Sequence, residues 1–319
     1  MVRVNQSYSN YSPVSSGIPQ GSILGPLLFI IFINDLPDDI TCICKIFADD
    51  TKIYNSHKNH ILIQNDLLKF LKWAEKWLLK FNKSKCSVLH MGKKNMKNKY
   101  YMDSECTIPL KSTDSEKDVG VTFSTDLKFK KHISNVIKKA NQLTGLVKRS
   151  FVHLDKTLLL NLYKTVIRPH LEYANVIWHP MFKDGLKALE KVQRRVTKLI
   201  PELKLMSYRD RLVELKLPSI KFRQIRGDLI QTFKIDHHID NLKFSDFFSF
   251  NKTNQTTRNS NLKLFKEHAY SRTRNNFLSY RVNNYWNSLE ESTRTAKSIL
   301  DFKKGVDKEF KNNIFDYDE

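Results

Sequence analysis

The amino-acid sequence predicts an α+β fold, with antiparallel β-hairpins packed on helices up to about residue 125 and helices through most of the rest. Three observations carry that expectation. Two β-prone runs, Ile43 to Phe47 and Thr51 to Tyr54, flank Ala48, Asp49 and Asp50 in the pattern of a tight hairpin. From Ile61 to Phe81 the apolar positions 63, 67, 70, 74, 77 and 81 step by four and three, one face of a helix of about six turns. After Leu127 the helical periodicity is almost continuous.

Taken in order, Ser16 to Ser22 is a Gly/Pro/Ser turn cluster, and Gly25 and Pro26 open an apolar run, Leu27 to Ile33, that reads as a short, fully buried helix. The hairpin and the long helix follow, with Lys76 and Lys80 suiting that helix's C-terminal end. Cys86 to Met91 and Asp118 to Phe123 read as strands, separated by a polar, loop-like stretch from Lys93 to Glu105. Helices are expected near 130–150, 156–178, 184–200, 207–216, 221–237, 276–290 and 298–312, with Pro169, Pro180, Pro201 and Pro218 as stops or kinks. Residues 251–261 form a polar linker or exposed loop. The coarse division is 1–125, 126–240 and 241–319.

Charge bounds the function. The chain has 319 residues with 54 Lys and Arg against 33 Asp and Glu, a net charge of +21, at 40% hydrophobic composition. That is too apolar for global disorder and so basic that a polyanionic partner is favoured, nucleic acid first. Biased coding is the plain alternative, since the basic residues are mostly Lys in a chain also rich in Asn and Ile. The excess is uneven: residues 1–60 carry four basic and five acidic side chains, and all the positive surplus lies beyond them. The longest apolar run, Ile23 to Ile33, falls short of the ~20 residues that span a membrane, so no membrane partner is expected. Four cysteines, Cys42, Cys44, Cys86 and Cys106, suit a reducing compartment and no disulfide-linked partner. The location expected is intracellular, in nucleus or cytoplasm, with no targeting signal in the pattern.

The opening segment is therefore where carboxylate chemistry belongs. Adjacent Asp49 and Asp50 at a hairpin tip repel unless a cation lies beside them, and Mg²⁺, with Mn²⁺ as substitute, takes such hard oxygen ligands. Alone, the pair reads first as a solvated turn. A zinc site fails on spacing, because Cys42 and Cys44 are separated by one residue and His57 and His60 by two. The tryptophans Trp73, Trp77, Trp178 and Trp286 fall in helical patterns and read as packing groups.

Context raises the acidic turn above the plain alternative. The string GIPQGSILGPLLF from Gly17 to Phe29, followed by the FADD motif of Phe47 to Asp50, closely resembles two successive palm motifs of reverse transcriptases from non-LTR, LINE-type, Jockey-like retrotransposons. The resemblance continues through FNKSKC (Phe81 to Cys86), KDVGV (Lys117 to Val121), RPHLEYA (Arg168 to Ala174) with Trp178, VQRR (Val192 to Arg195) and YRVNNYWNSL (Tyr280 to Leu289).

That resemblance implies an RNA-directed DNA polymerase, a nucleotidyltransferase working by two-Mg²⁺ chemistry on an RNA template, a DNA primer and dNTPs. It makes 1–125 a partial palm, 126–240 a helical thumb-like region and 241–319 a mainly helical C-terminal region. Asp49 becomes a direct metal ligand and Asp50 its supporting neighbour, while Phe47, Ala48, Gln20 and Gly21 line the nucleotide and template. Lys85 matches a lysine close to the triphosphate, and in the thumb Lys138, Lys139, Lys148 and Arg149 become contacts to nucleic-acid backbone. The family carries a further metal-binding Asp in an upstream strand, and this sequence has no such motif. The expectation is thus an N-terminally truncated domain, inactive as an isolated chain. The alternative is a non-catalytic, basic, nucleic-acid-binding remnant of a retroelement. The oligomeric state is left open.

Overall fold

The computed structural model describes residues 3–11, 13, 17, 21–151, 153–251 and 262–317. The chain divides into two compact units, Met1–Asp114 and Ser115–Glu319. It is α+β, with short strand pairs and many helices.

The first unit opens with a two-residue antiparallel pair, β1 (Arg3–Val4) and β2 (Ser7–Tyr8), turned at Asn5 with φ 55°. Helix α1 (Leu24–Ile33) starts where the Ser22 hydroxyl accepts the Gly25 N–H at 3.1 Å. The sequence suggests a fully buried helix; it is largely exposed. Only Ile33 is buried, whereas Leu24, Leu27, Leu28, Ile30 and Ile31 face out. The helix is apolar on every side, so packing one side leaves the others open among the described residues. Phe32 sets its ring edge-on to Trp73 and Trp77, and the Asp35 carboxylate accepts the Trp73 indole N–H at 2.9 Å.

β3 (Ile43–Phe47) and β4 (Asp50–Tyr54) form the expected antiparallel hairpin, in register from Ile43 opposite Tyr54 to Phe47 opposite Asp50. The next helix, α2 (His60–Lys76), buries Asp66, Leu67, Phe70 and Ala74. It is shorter than the periodicity suggests, and Leu78, Lys80 and Phe81 lie beyond it. The chain turns left-handed at Leu78 (φ 54°), and the Leu79 N–H reaches back to the Ala74 carbonyl at 2.9 Å, the six-to-one bond of a Schellman end. Phe81 still reaches the core against Phe70, at 6.1 Å between ring centres, which is why the apolar rhythm outlasts the helix. Strand β5 (Ser87–Leu89) pairs with β6 (Lys111–Thr113) in parallel, an exception to the expected hairpins.

In the second unit, the stretch from Asp118 to Phe123 is not one strand. It is the turn and flanks of a hairpin, β7 (Ser115–Asp118) and β8 (Val121–Ser124), bent at Val119 and Gly120, both with positive φ. Gly120 is required twice over. Its φ is +82°, and a Cβ there would lie 3.0 Å from the Tyr173 ring, whose hydroxyl donates to the Val119 carbonyl. The KDVGV and RPHLEYA strings therefore meet in space.

Helix α3 (Lys130–Ser150) spans the expected residues. The long helix expected over 156–178 is divided into α4 (Lys156–Leu162), a π-helical turn (Tyr163–Ile167), α5 (Arg168–Glu172) and α6 (Asn175–Trp178). Pro169 has no N–H to continue an α-helical ladder and its ring would crowd the preceding turn, so the helix widens ahead of it. Ala174, at φ 54°, makes the second break. Helices α7 (Lys183–Thr197), α8 (Tyr208–Glu214) and α9 (Ile220–Asp236) close the core around Trp178, Leu189, Leu212 and Ile220. A second core, around Phe233, Trp286 and Phe302, joins α9 to α11 (Leu278–Arg281), α12 (Asn283–Ser288) and α14 (Ile299–Glu309); the short helices α10 (Arg272–Asn275) and α13 (Glu291–Arg294) precede α11 and α14 in sequence.

Candidate active site and nucleic-acid interface

The acidic turn is built from below. Asp66, buried on α2, accepts the backbone N–H of Thr41 (3.2 Å) and Cys42 (2.7 Å) and the Lys69 ammonium (2.9 Å), and Lys69 also donates to the Asp39 carbonyl and the Thr41 hydroxyl. Burial alone would raise the Asp66 carboxyl, but these donors outweigh it and bring its pKa down to about 2. The chain entering β3 is thereby pinned to α2, and Asn55 at the far end of β4 donates to the Cys42 sulfur. Burial raises the Cys42 and Cys44 thiols, which stay protonated.

Strand alternation does the rest. Cys44, Ile46 and Ile53 turn inward onto Leu67 and Phe70, so Phe47 and Asp50 point outward at the opposite end of the ladder. Ala48 and Asp49 form a two-residue turn in which Ala48 takes φ 50°, a left-handed conformation that costs a residue with a Cβ about 1 kcal/mol. Phe47, Ala48, Asp49 and Asp50 are all exposed. Two carboxylates on consecutive residues of a fixed, solvated turn are a donor set that fits a hard divalent ion holding most of its own water. Among the described residues no cluster of three or more His, Cys, Asp or Glu gathers as a closed metal cage.

The other candidates stand as follows. Gly21 is exposed at φ +87°, a conformation that favours glycine, and Gln20 lies outside the described residues. Lys85 is exposed in the turn leading to β5, held by backbone bonds from Lys85 to Asn82 and from Cys86 to Lys83; among the described residues no hydrogen bond or ion pair joins its side chain to the acidic turn. In the second unit Lys138, Lys139, Lys148 and Arg149 all lie exposed on α3, Lys138 and Arg149 opposite the side where His132, Ile133, Ala140, Thr144 and Val147 are buried and Lys139 and Lys148 on its two flanks. No described helix is long and apolar enough to cross a membrane.

Asp66 is invisible to motif reading. The signal that could have found it is a carboxylate beside the apolar positions 63, 67 and 70 of an amphipathic helix, a place where only a bonded charge is tolerated. Of the tryptophans, Trp178 and Trp286 are fully buried packing groups, with Trp178 edge-on to the buried His132. Burial, then the charge of Lys117, lowers the His132 pKa, so its Nδ1 is free to accept the Thr122 N–H.

Comparison with known proteins finds a likeness over the part of the chain that carries this turn: residues 1–126 match the family described as Reverse transcriptase (RNA-dependent DNA polymerase). Its relatives are more particular. It is 29% identical over 214 residues to the probable RNA-directed DNA polymerase from transposon X-element of Drosophila melanogaster, covering 62% of this chain and 23% of that protein. It is 25% identical over 256 residues to the RNA-directed DNA polymerase from mobile element jockey of the same species, and 27% identical over 254 residues to that of Drosophila funebris, each covering 72% of this chain and 26% of the relative. The resemblance to LINE-type, jockey-like non-LTR reverse transcriptases is thus shown. The chain spans about a quarter of the length of these relatives. No solved structure gives a significant match.

Proposed function

We propose that this chain is the palm-to-thumb portion of an RNA-directed DNA polymerase of a jockey-like retrotransposon, with Asp49 and Asp50 as the metal-binding carboxylates of the polymerase site. The observation that carries the reading is the outward pair of carboxylates at the tip of a hairpin whose opposite end is pinned to α2, inside the segment that matches the reverse transcriptase family. Asp49 at the turn and Asp50 at the head of β4 would hold Mg²⁺, or Mn²⁺ in its place. Bound there, a divalent ion supplies charge stabilisation to the primer 3′-hydroxyl as it attacks the α-phosphate of a dNTP and to the departing pyrophosphate. Phe47, Ala48, Gln20 and Gly21 would flank nucleotide and template, and Lys85 would offer a proton donor to pyrophosphate. Lys138, Lys139, Lys148 and Arg149 on α3 would follow the phosphate backbone of an RNA template and DNA primer, by charge rather than by base identity.

Two carboxylates on one turn make one end of a two-metal site. On its own the chain should therefore bind Mg²⁺ weakly and leave a primer unextended. The test pairs two assays on wild type and Asp49→Asn. Affinity for an RNA–DNA hybrid should rise with Mg²⁺ in wild type and not in the variant, with no extension by either. Primer extension lost on Asp49→Ala would overturn the inactivity. Binding indifferent to both Mg²⁺ and Asp49 would favour the second reading, a non-catalytic nucleic-acid binder, which rests on the exposed basic residues of α3.

A further inference from the structure

The YRVNNYWNSL string from Tyr280 to Leu289 has no part in the polymerase reading, and the structure shows what it does. Arg281 is fastened to Asp228 by two bonds (2.6 and 2.8 Å) and to the carbonyls of Asn276 and Val176, fixing α11 to α9. The Trp286 indole donates to the Leu262 carbonyl. Asn287 clamps Leu264 in both directions, its amide oxygen taking the Leu264 N–H (2.8 Å) and its amide nitrogen donating to the Leu264 carbonyl (2.9 Å). The Phe265 N–H is bound to the Ser249 carbonyl. At the other end Ser271 caps α10, and Asn276 donates to the His179 carbonyl. The segment between, Phe265 to Tyr270, is held at both ends.

What it displays is specific. Phe265, Lys266, Glu267, His268 and Tyr270 of this non-helical segment are all exposed; Tyr270 is 94% exposed, its ring edge-on to His268 at 4.9 Å. Glu267 accepts the Tyr280 hydroxyl at 2.8 Å, and the stretch from Lys266 to Arg274 carries three cations against this one carboxylate. Arg272 and Arg274 continue the exposed series, and the Arg274 guanidinium lies over the Tyr280 ring at 4.7 Å. Among the described residues Lys266 bonds the neutral Asn284 amide and forms no ion pair. Lys266, Glu267, His268, Tyr270 and Arg272 border an open cavity of about 600 Å³. An aromatic face without apolar cover, flanked by an excess of cations on a pre-set segment, is what single-stranded nucleic acid needs: a base to stack and phosphates to meet.

We propose that the segment Lys266 to Arg274 is a single-strand-binding surface, in which Tyr270 stacks a base while Lys266, Arg272 and Arg274 hold the adjoining phosphates. It rests on reading the chain as part of a nucleic-acid polymerase and adds a second contact, distinct from the acidic turn and from α3. A solvent-exposed tyrosine does not stabilise the fold, so its removal isolates the contact.

The test is fluorescence anisotropy on the full chain with oligo(U), oligo(dT) and a duplex of similar length, about ten nucleotides. Tyr270→Ala should weaken both single strands about tenfold and leave the duplex unchanged, while Tyr270→Phe should bind as wild type. Lys266→Ala and Arg272→Ala should each flatten the salt dependence of single-strand binding by about 0.7 in the logarithmic slope. Loss confined to oligo(U) assigns the surface to RNA, and equal loss on both strands makes it indifferent to the sugar. The proposal is overturned if Tyr270→Ala binds single strands as wild type, if it weakens duplex equally, or if Tyr270→Phe is as weak as Tyr270→Ala. Mg²⁺-dependent hybrid binding requiring Asp49 would survive any of these failures, so the two accounts fall separately.

Discussion

Both units bury carboxyl groups, and Asp66 in the first and Glu190 in the second are treated in opposite ways. Asp66 in the first unit meets an ammonium and two backbone N–H groups, and its pKa is held near 2. Glu190 in the second is buried on α7, where it takes the Tyr208 hydroxyl (2.5 Å) and the Ile220 N–H (3.0 Å); burial dominates and its pKa is pushed up to about 7. The first carboxylate works as a charge, tying a strand end to a helix beneath the acidic turn. The second works as a hydrogen-bonding hub at the start of α9, its charged form disfavoured by burial. The same contrast runs through the packing. The second unit surrounds two fully buried tryptophans, whereas the first leaves most of α1 uncovered among the described residues.

The comparison can be broken at several points. The largest effect is expected for Arg281→Ala, which strands the buried Asp228 carboxylate and frees two carbonyls; it should cost the second unit about 4 kcal/mol in denaturant unfolding and leave amide signals of the first unit in place. Next comes Glu190. Its folded pKa lies above the ordinary 4.5, so on raising the pH the unfolded chain ionises first and the native state loses about 3 kcal/mol between pH 4.5 and 7. The stability difference between wild type and Glu190→Gln, measured across that window, should change by this amount and level off above it. Asp66 has the opposite sign. Its folded pKa is depressed, so its contribution is present above about pH 4 and fades as the pH falls toward 2. Asp66→Asn should cost the first unit about 2 kcal/mol near neutrality, with a much smaller penalty in acid. The smallest effect belongs to Ala48→Gly, which relieves a left-handed alanine and should change stability by less than about 1 kcal/mol, seen as a slight shift in the midpoint of first-unit unfolding.

Much of this was legible from residues alone, and for physical reasons. The hairpin on Asp49 and Asp50 announces itself because its strands are β-prone and its turn polar, and α3 because a 3.6-residue rhythm runs uninterrupted through Lys130–Ser150. Periodicity failed where a non-glycine residue turned left-handed, at Leu78 and at Ala174, since nothing in those side chains advertises the conformation. It also could not tell a buried apolar helix from an exposed one, because α1 is apolar on every side. At the candidate site, motif reading placed the acidic turn but missed Asp66, which acts through backbone groups a helix away. The string near residue 285 could be read as a family feature, while its structural task, clamping Leu264 and fastening α11 to α9, emerges only from contacts distant in sequence.

The central claim is that the turn at Asp49 and Asp50 is a divalent-metal site and not a solvated bend. Titration of the full chain with Mn²⁺, followed by paramagnetic broadening of backbone amide signals, tests it most directly. The account predicts that Phe47 to Thr51 broaden first, that excess Mg²⁺ reverses the effect, and that Asp49→Asn with Asp50→Asn abolishes it while Asp66 and the α2 signals stay unmoved. Broadening scattered evenly over the exposed carboxylates, with no preference for this turn, would contradict it.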